Sequence, residues 1–499
     1  MRSGEICPVH LHALRAPGAP ALVDGDRQWT YADLDAETGA WAERLRSRGI
    51  EAGDRLAVLS WNRAELVPMF HAAGRLGAVW IPLNARLTAV EIARQLERIR
   101  PRAIFAEEAL IDRAPGSERI EAVGREAAPA SRVPAEIGVE RRAVRAVLFT
   151  SGTAGAPKGA ELTFGNFDAS ARGSAANLGG DSRQRWLGCL PLFHVGGLAM
   201  AHRCAAYGAC LVLHAGFDAS AVARDLARCR ITHLSVVPTA LARLLDASDE
   251  DAPPSLRAVL VGGGPMTRDL AARAGARGFR VLQTYGLTEA CSQVCTEQPA
   301  DADGRTAGHP LPGTEVRIAL DGGDPAPPGE AGEIEVSGST VMRGYVGDPD
   351  ATAAAFRGGW LRTGDWGFVD AAGRLAVLTR RTDLILSGGE NVYPAEVEAA
   401  IVAHPDVSEV AVAGVGDAEW GQVPIALCVL REGRRAPDLR ALERWCRQRL
   451  ASFKVPKRFV AVDHLPKTAS GKVDRARARA LAESAIHGVG PHLRRGSIR

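Results

Sequence analysis

The stretch LFTSGTAGAPKGAELTF, residues 148–164, gathers Thr150, Ser151 and Thr153 with Gly152, Gly155, Gly159 and a single cation, Lys158. It follows the apolar run Ala146-Val147-Leu148-Phe149, which reads as a buried strand. Hydroxyls, backbone N–H groups left open by glycine and one lysine at a strand end suit a polyphosphate. A Walker loop is excluded, because Pro157 precedes Lys158 and Gly159 follows it, where that motif needs Gly-Lys-Ser/Thr. Read by itself, the stretch also fits a glycine-rich surface turn.

Other candidates lie further along. In QTYGLTEA (283–290) an apolar strand ends in Tyr285, Gly286, Thr288 and Glu289. A carboxylate at a strand end beside a phosphate loop is a natural Mg²⁺ ligand. LVGGGPM (260–266) is a second strand running into Gly262, Gly263 and Gly264, where backbone can lie against a flat base. WLRTGDWG (360–367) places Asp365 in a turn, as a carboxylate able to accept from two ribose hydroxyls. LPKTASGKVDR (465–475) carries Lys472 in a loop near the chain end.

These residues need a scaffold, and the patterning supplies one. DRLAVLS, NRAELVPMFHAAGRLG and AVWIPL read as a β-α-β unit. ACLVLH, ITHLSVV, LRAVLVGGG and FRVLQTYG are short apolar runs between amphipathic helices, the pattern of helix-covered parallel sheets. Residues 107–142 are polar and dotted with proline, and read as a loop-rich connection. After residue 300, TEVRIAL, GEIEVSG and GRLAVLT alternate with Pro/Gly turns and predict a smaller antiparallel β-unit. From about residue 384 helices and strands mix again, over a length sufficient for a small α+β domain. The fold class is therefore α/β, with a large N-terminal domain of helix-covered sheets plus a β-unit. A small mobile C-terminal domain follows. The boundaries read as 1–379, 380–482 and a disordered basic tail at 483–499.

The bulk numbers exclude several roles. The 499 residues suggest about three compact units. A composition 46% hydrophobic and 24% charged is that of a soluble globular chain. A net charge of +3 points to neither nucleic acid nor membrane, and no signal peptide or membrane span is expected. Nine scattered cysteines fit reduced thiols in the cytoplasm. Cys291 and Cys295 lack a second ligand pair, so a zinc site reads weakly.

In order and spacing these motifs resemble the AMP-forming adenylating superfamily of acyl-CoA synthetases, peptide-synthetase adenylation domains and luciferases. The resemblance runs from ALVDGDRQWTYADLD to Arg475. It implies ATP, Mg²⁺ and coenzyme A as cofactor and co-substrates and a small carboxylic acid as substrate, and it allows a homodimer. It further implies that Ser151, Thr153 and Lys158 hold the β- and γ-phosphates, with Thr150 and Gly152 also binding the nucleotide. Thr288 would meet the α-phosphate and Glu289 the metal. Gly262, Gly263 and Tyr285 would bracket the adenine, with Gly264 and Gly286 also binding the nucleotide, and Asp365 and Arg380 would hold the ribose. Lys472 would bridge the acid and the α-phosphate. Gly388 and Gly389 would let a pantetheine arm pass, although they also fit a plain hairpin turn. The family usually has Gly before the ribose-binding Arg, where this chain has Thr379. The implied hinge position holds Thr382.

CLPLFHVGGL, QTYGLTEACSQV, RRTDLILSGGENVYPAEVE and EWGQVPIALCVL are most similar to the o-succinylbenzoate-using branch of that family. That acid has an aromatic ring and two carboxylates, so its pocket needs polar groups for the carboxylate that does not react. His194, Ser292 and Gln293 are the candidates. A medium-chain fatty or aryl acid, or a carrier-protein thiol as acceptor, are the alternatives. A regulator that kept the fold and lost the chemistry is disfavoured by Lys158, Glu289, Asp365 and Lys472.

Overall fold

The computed structural model describes residues 5–120, 135–137, 140–150, 157–264, 266, 268–300, 302–320, 322–379, 384–431, 439–467 and 473–487. The chain divides into two compact units. The first comprises residues 1–85, 96–149 and 159–378, and the second 86–95, 150–158 and 379–499.

Two mixed sheets carry the first unit. In the seven-stranded sheet, Arg55–Leu59 lies between Val79–Leu83 and Ala103–Ala106, all parallel. The helix Leu66–Arg75 joins the first two, and every one of its residues is buried. The nine-stranded sheet is parallel through Pro20–Asp24, Cys210–Leu213, Arg185–Gly188, His233–Val236, Ala258–Val261 and Val281–Leu287. Its margins, Arg27–Thr30 on one side and Ser292–Thr296 and His309–Pro310 on the other, are antiparallel. Cys210–Leu213 and Ala258–Val261 are buried along their whole length. Strands covered on both faces are read as unbroken apolar runs for this reason.

The helix Phe164–Leu178 starts in a capping box, in which Thr163 and Asn166 satisfy each other's backbone N–H groups. The Asn166 amide also donates to the carbonyls of Ser339 (2.8 Å) and Val341 (2.9 Å), tying this helix to the β-unit. That unit is a five-stranded antiparallel sheet of Thr314–Ala319, Gly332–Gly338, Trp360–Val369, Phe356–Arg357 and Leu375–Thr379.

In the second unit, alternation along the strands explains two cores. Along Val407–Asp417 and Gly421–Leu430, Val412, Ala426 and Cys428 face the helices Pro394–Val402 and Leu439–Arg447. Their neighbours Ala411, Ala413, Ile425 and Leu427 pack instead with Ala478 and Ala482 of the helix Arg475–His487. Period-two side-chain geometry thus coats both sides of one sheet. This unit also buries a cation. Lys454 Nζ donates to Glu91 (2.8 Å) and Glu396 (2.7 Å), which hold it protonated against the pull of burial.

Among the described residues no helix is long and apolar enough to cross a membrane, and no cluster of three His, Cys, Asp or Glu could hold a metal. Burial pushes the Cys291 and Cys295 thiols well above their ordinary range, which keeps them neutral.

Candidate active site

The ends of two neighbouring parallel strands lead into Gly262, Gly263 and Gly264 on one side and Tyr285, Gly286, Thr288 and Glu289 on the other. In open α/β sheets this carboxyl edge is where ligands bind. Ala258–Val261 runs into Gly262, Gly263 and Gly264, with Gly263 at φ +78°. A Cβ on Gly262 would lie 2.7 Å from Thr284 Cγ2 and 3.0 Å from the Thr284 carbonyl oxygen. Glycine is therefore needed here to bring the two strand ends together.

Val281–Leu287 leads into a single 3₁₀ turn, Thr288–Ala290. The chain then reverses through Cys291 at φ +52° and Ser292 at φ +90° before entering Ser292–Thr296. Two successive non-glycine residues with positive φ store strain, which persists only where the surroundings hold it. Three contacts do so. Ser170 Oγ donates to the Cys291 carbonyl at 2.7 Å, and Met342 N–H to the Glu289 carbonyl at 2.7 Å. The third is the close approach of Gly286, where any Cβ would lie 1.8 Å from the Ser292 carbonyl oxygen.

The Glu289 carboxylate is oriented by a residue that the motifs did not single out. Tyr345 Oη donates to Glu289 Oε1 at 2.9 Å. Tyr345 belongs to Gly344–Tyr345, which pairs with Ala160 and Glu161 just after the phosphate-loop candidate. Its signal in the sequence was a tyrosine between the glycines of RGYVG, visible only once the pairing is known.

Asp365 is not in a turn, as the sequence suggested, but inside the strand Trp360–Val369. Arg362 and Trp366 pair with Glu335 and Glu333, so the extra residues between them bulge, with Gly364 at φ +72°. A glycine in the left-handed region gives a bulge, and the strand continues beyond it. The bulge brings Asp365 Oδ2 to 2.8 Å from Tyr285 Oη. Both side chains are buried.

The acyl-pocket candidates lie on two elements of the first unit. Ser292, at φ +90°, and Gln293 open the strand Ser292–Thr296. Ser292 is half-buried, whereas Gln293 is buried and donates to Thr296 Oγ1 at 3.1 Å. His194 is the N-cap position of the helix Val195–Tyr207, and its ring packs edge-on to Phe193 at 4.8 Å. A Cβ on Gly197 would lie 2.2 Å from the Pro191 carbonyl oxygen, so this helix start also depends on glycine.

Thr150 ends the strand Val144–Thr150 and Lys158 begins Lys158–Thr163, with Thr150 Oγ1 donating to the Lys158 carbonyl at 3.4 Å. Ser151, Gly152 and Thr153 lie outside the described residues, as do Arg380, Thr382 and Lys472. In the second unit, Gly388 (φ +58°) and Gly389 (φ +83°) form the two-residue turn of a hairpin between Ile385–Ser387 and Glu390–Val392. A Cβ on Gly388 would lie 2.6 Å from the Trp420 ring. Next to the turn, Glu390 accepts from Arg86 at 2.8 Å.

Within the first unit, the sheet thus carries a glycine-bracketed strand end beside a strand that leads into a tyrosine-held carboxylate. Residues 9–346 match the AMP-binding enzyme family and residues 396–472 its C-terminal domain. The chain belongs to this family of AMP-binding enzymes. Within it, the chain is 43% identical over 473 residues to 2-succinylbenzoate–CoA ligase of Geobacillus kaustophilus, covering 94% of this chain and 96% of that one. A double mutant of Bacillus subtilis o-succinylbenzoate CoA synthetase, bound with the product analogue OSB-NCoA, is similar in structure. Its TM-score is 0.89 at 39% identity, over 95% of this chain and 98% of that chain. The same enzyme in complex with ATP and magnesium ion gives a TM-score of 0.71 at 38% identity, over 95% and 99% of the two chains.

Proposed function

We propose that this chain is an ATP-dependent acid–CoA ligase that converts o-succinylbenzoate to o-succinylbenzoyl-CoA in menaquinone biosynthesis. The observation that carries this reading is 43% identity to a 2-succinylbenzoate–CoA ligase over nearly the full length of both chains.

The chemistry follows from the substrate. A carboxylate cannot acylate a thiol directly, because its leaving group would be oxide. In the first step the carboxylate oxygen bonds to the α-phosphorus of ATP and the bond to the β-phosphate breaks, releasing pyrophosphate. In the second step the thiol sulfur bonds to the acyl carbon, AMP leaves and the thiol proton is lost. The first step joins two anions, so positive charge and oriented donors at the site are the main requirement.

In this reading Lys158 and the hydroxyls of Thr150, Ser151 and Thr153 hold the phosphates, and Thr288 meets the α-phosphate. Glu289 fits Mg²⁺, since a hard carboxylate oxygen oriented by Tyr345 matches an ion bound by one or two carboxylates plus phosphate oxygens. When bound with ATP, that ion would neutralise phosphate charge. Asp365, with Tyr285 on one oxygen, accepts from the ribose, together with Arg380. Lys472 brings a cation to the reacting carboxylate, and the glycines at 388 and 389 belong to the thiol step. A cytoplasmic location is part of the reading, supported by nine free thiols, eight of them buried.

The test separates the half-reactions. With o-succinylbenzoate, ATP and Mg²⁺ alone, pyrophosphate should be released and the acyl-adenylate should accumulate on the enzyme. Adding CoA should discharge it to the thioester and AMP. No pyrophosphate release with any carboxylic acid would overturn the ligase reading.

A further inference from the structure

Asn62 follows the strand Arg55–Leu59, in the run Ser60-Trp61-Asn62, and is 6% exposed. Its side-chain amide bonds to the main chain of two segments remote in sequence. Oδ1 accepts from the Leu192 N–H at 2.7 Å. Nδ2 donates to the carbonyls of Leu190 (3.0 Å) and His214 (3.1 Å). A primary amide has two donor hydrogens and an acceptor oxygen, and all are used here on backbone lying between regular elements.

The clamped segment is the one that delivers His194. Leu190 and Leu192 lie between the strand Arg185–Gly188 and the helix Val195–Tyr207. The next residue, Phe193, packs edge-on to Trp61 at 6.1 Å. His194 N–H then bonds to the Pro191 carbonyl at 3.1 Å, closing a tight turn. Asn62 and its neighbour Trp61 therefore grip the path from Leu190 to His194 at Leu190, Leu192 and Phe193. The third bond, to His214, ties that path to the end of the adjacent strand Cys210–Leu213. No other residue type of this size supplies an acceptor and two donors in one plane.

We propose that Asn62 is a positioning residue for the acid-binding pocket, fixing the backbone at 190–192 so that His194 is presented to the acyl group. The proposal rests on the reading of His194 as a pocket residue. It predicts an effect on the acid and not on the nucleotide, which a general loss of stability would not give.

The experiment compares Asn62→Ala, the milder Asn62→Ser, His194→Ala and the double variant Asn62→Ala/His194→Ala in the full-length enzyme. KM for o-succinylbenzoate, KM for ATP and Tm are read for each. Loss of a buried three-bond clamp should raise the acid KM by about tenfold or more, with the ATP KM within about twofold of wild type. Asn62→Ser should shift the same way by less, and it carries the test if Asn62→Ala does not fold. In the His194→Ala background the effect of Asn62→Ala should shrink to within about twofold, because coupled residues are non-additive. Equal changes in both KM values, or full additivity with His194→Ala, would reduce Asn62 to a structural role and overturn the proposal. If His194→Ala by itself leaves the acid KM unchanged, the pocket reading of His194 fails, and the proposal falls with it.

Discussion

Tyr285 and Asp365 are 80 residues apart in the chain and joined by a 2.8 Å hydrogen bond from the phenol to the carboxylate. One belongs to a mixed α/β sheet and the other to a bulge in an antiparallel one. The bond orients a buried acid whose proposed task is to accept from a ribose. In Tyr285→Phe the carboxylate loses one donor, and hydrogen bonds to charged groups are worth ~1.5–3 kcal/mol. KM for ATP should rise by about tenfold or more, while KM for the acid stays near wild type. An unchanged ATP KM would show that Asp365 is positioned without the phenol.

Tyr345 plays the corresponding part for Glu289. Removing a partner that orients a metal ligand typically costs about 10–100-fold in metal affinity. In Tyr345→Phe, the Mg²⁺ concentration giving half-maximal ATP binding, measured by calorimetry in the absence of acid, should rise by at least about tenfold. Binding that responds to Mg²⁺ as in wild type would remove Tyr345 from the metal site.

The core makes its own prediction. Burial, reinforced by the charge of Arg257, lowers the His233 pKa from 6.5 to about 4. The ring lies stacked on Trp186 at 4.6 Å. His233 is thus neutral in the fold, whereas in the unfolded chain it takes up a proton below pH 6.5. Its stabilising contribution is complete above pH 6.5 and is lost as pH falls towards about 4. A shift of this size corresponds to about 3 kcal/mol. Denaturant unfolding at pH 7 and pH 4.5 should show a smaller pH-dependent loss in His233→Gln than in wild type. Identical losses would contradict the assignment.

The helix-covered sheets and the antiparallel β-unit were legible because their strands are apolar runs separated by turn residues, such as Ala258–Val261 before its glycines. The candidate residues at strand ends were legible for the same reason. What could not be read was whatever depends on pairing between distant strands. Asp365 follows a glycine and so looked like a turn residue, but Trp360–Val369 continues through the bulge because Gly332–Gly338 pairs with both of its ends. The parts played by Tyr345 and Asn62 depend on residues far away in sequence, so RGYVG and SWN could not announce them. Gly286 looked like part of a motif, and its requirement is steric, set by the Ser292 carbonyl.

The central claim is the identity of the acid, and the most direct measurement is kcat/KM for o-succinylbenzoate against benzoate and octanoate, with saturating ATP, Mg²⁺ and CoA. A site that pairs its buried polar groups with a second carboxylate should reject acids lacking it, by about 10⁴-fold where a hydrogen-bonding partner is lost. The account predicts that o-succinylbenzoate is preferred over both by at least about 10³-fold. A preference for octanoate, or no turnover of o-succinylbenzoate, would contradict it.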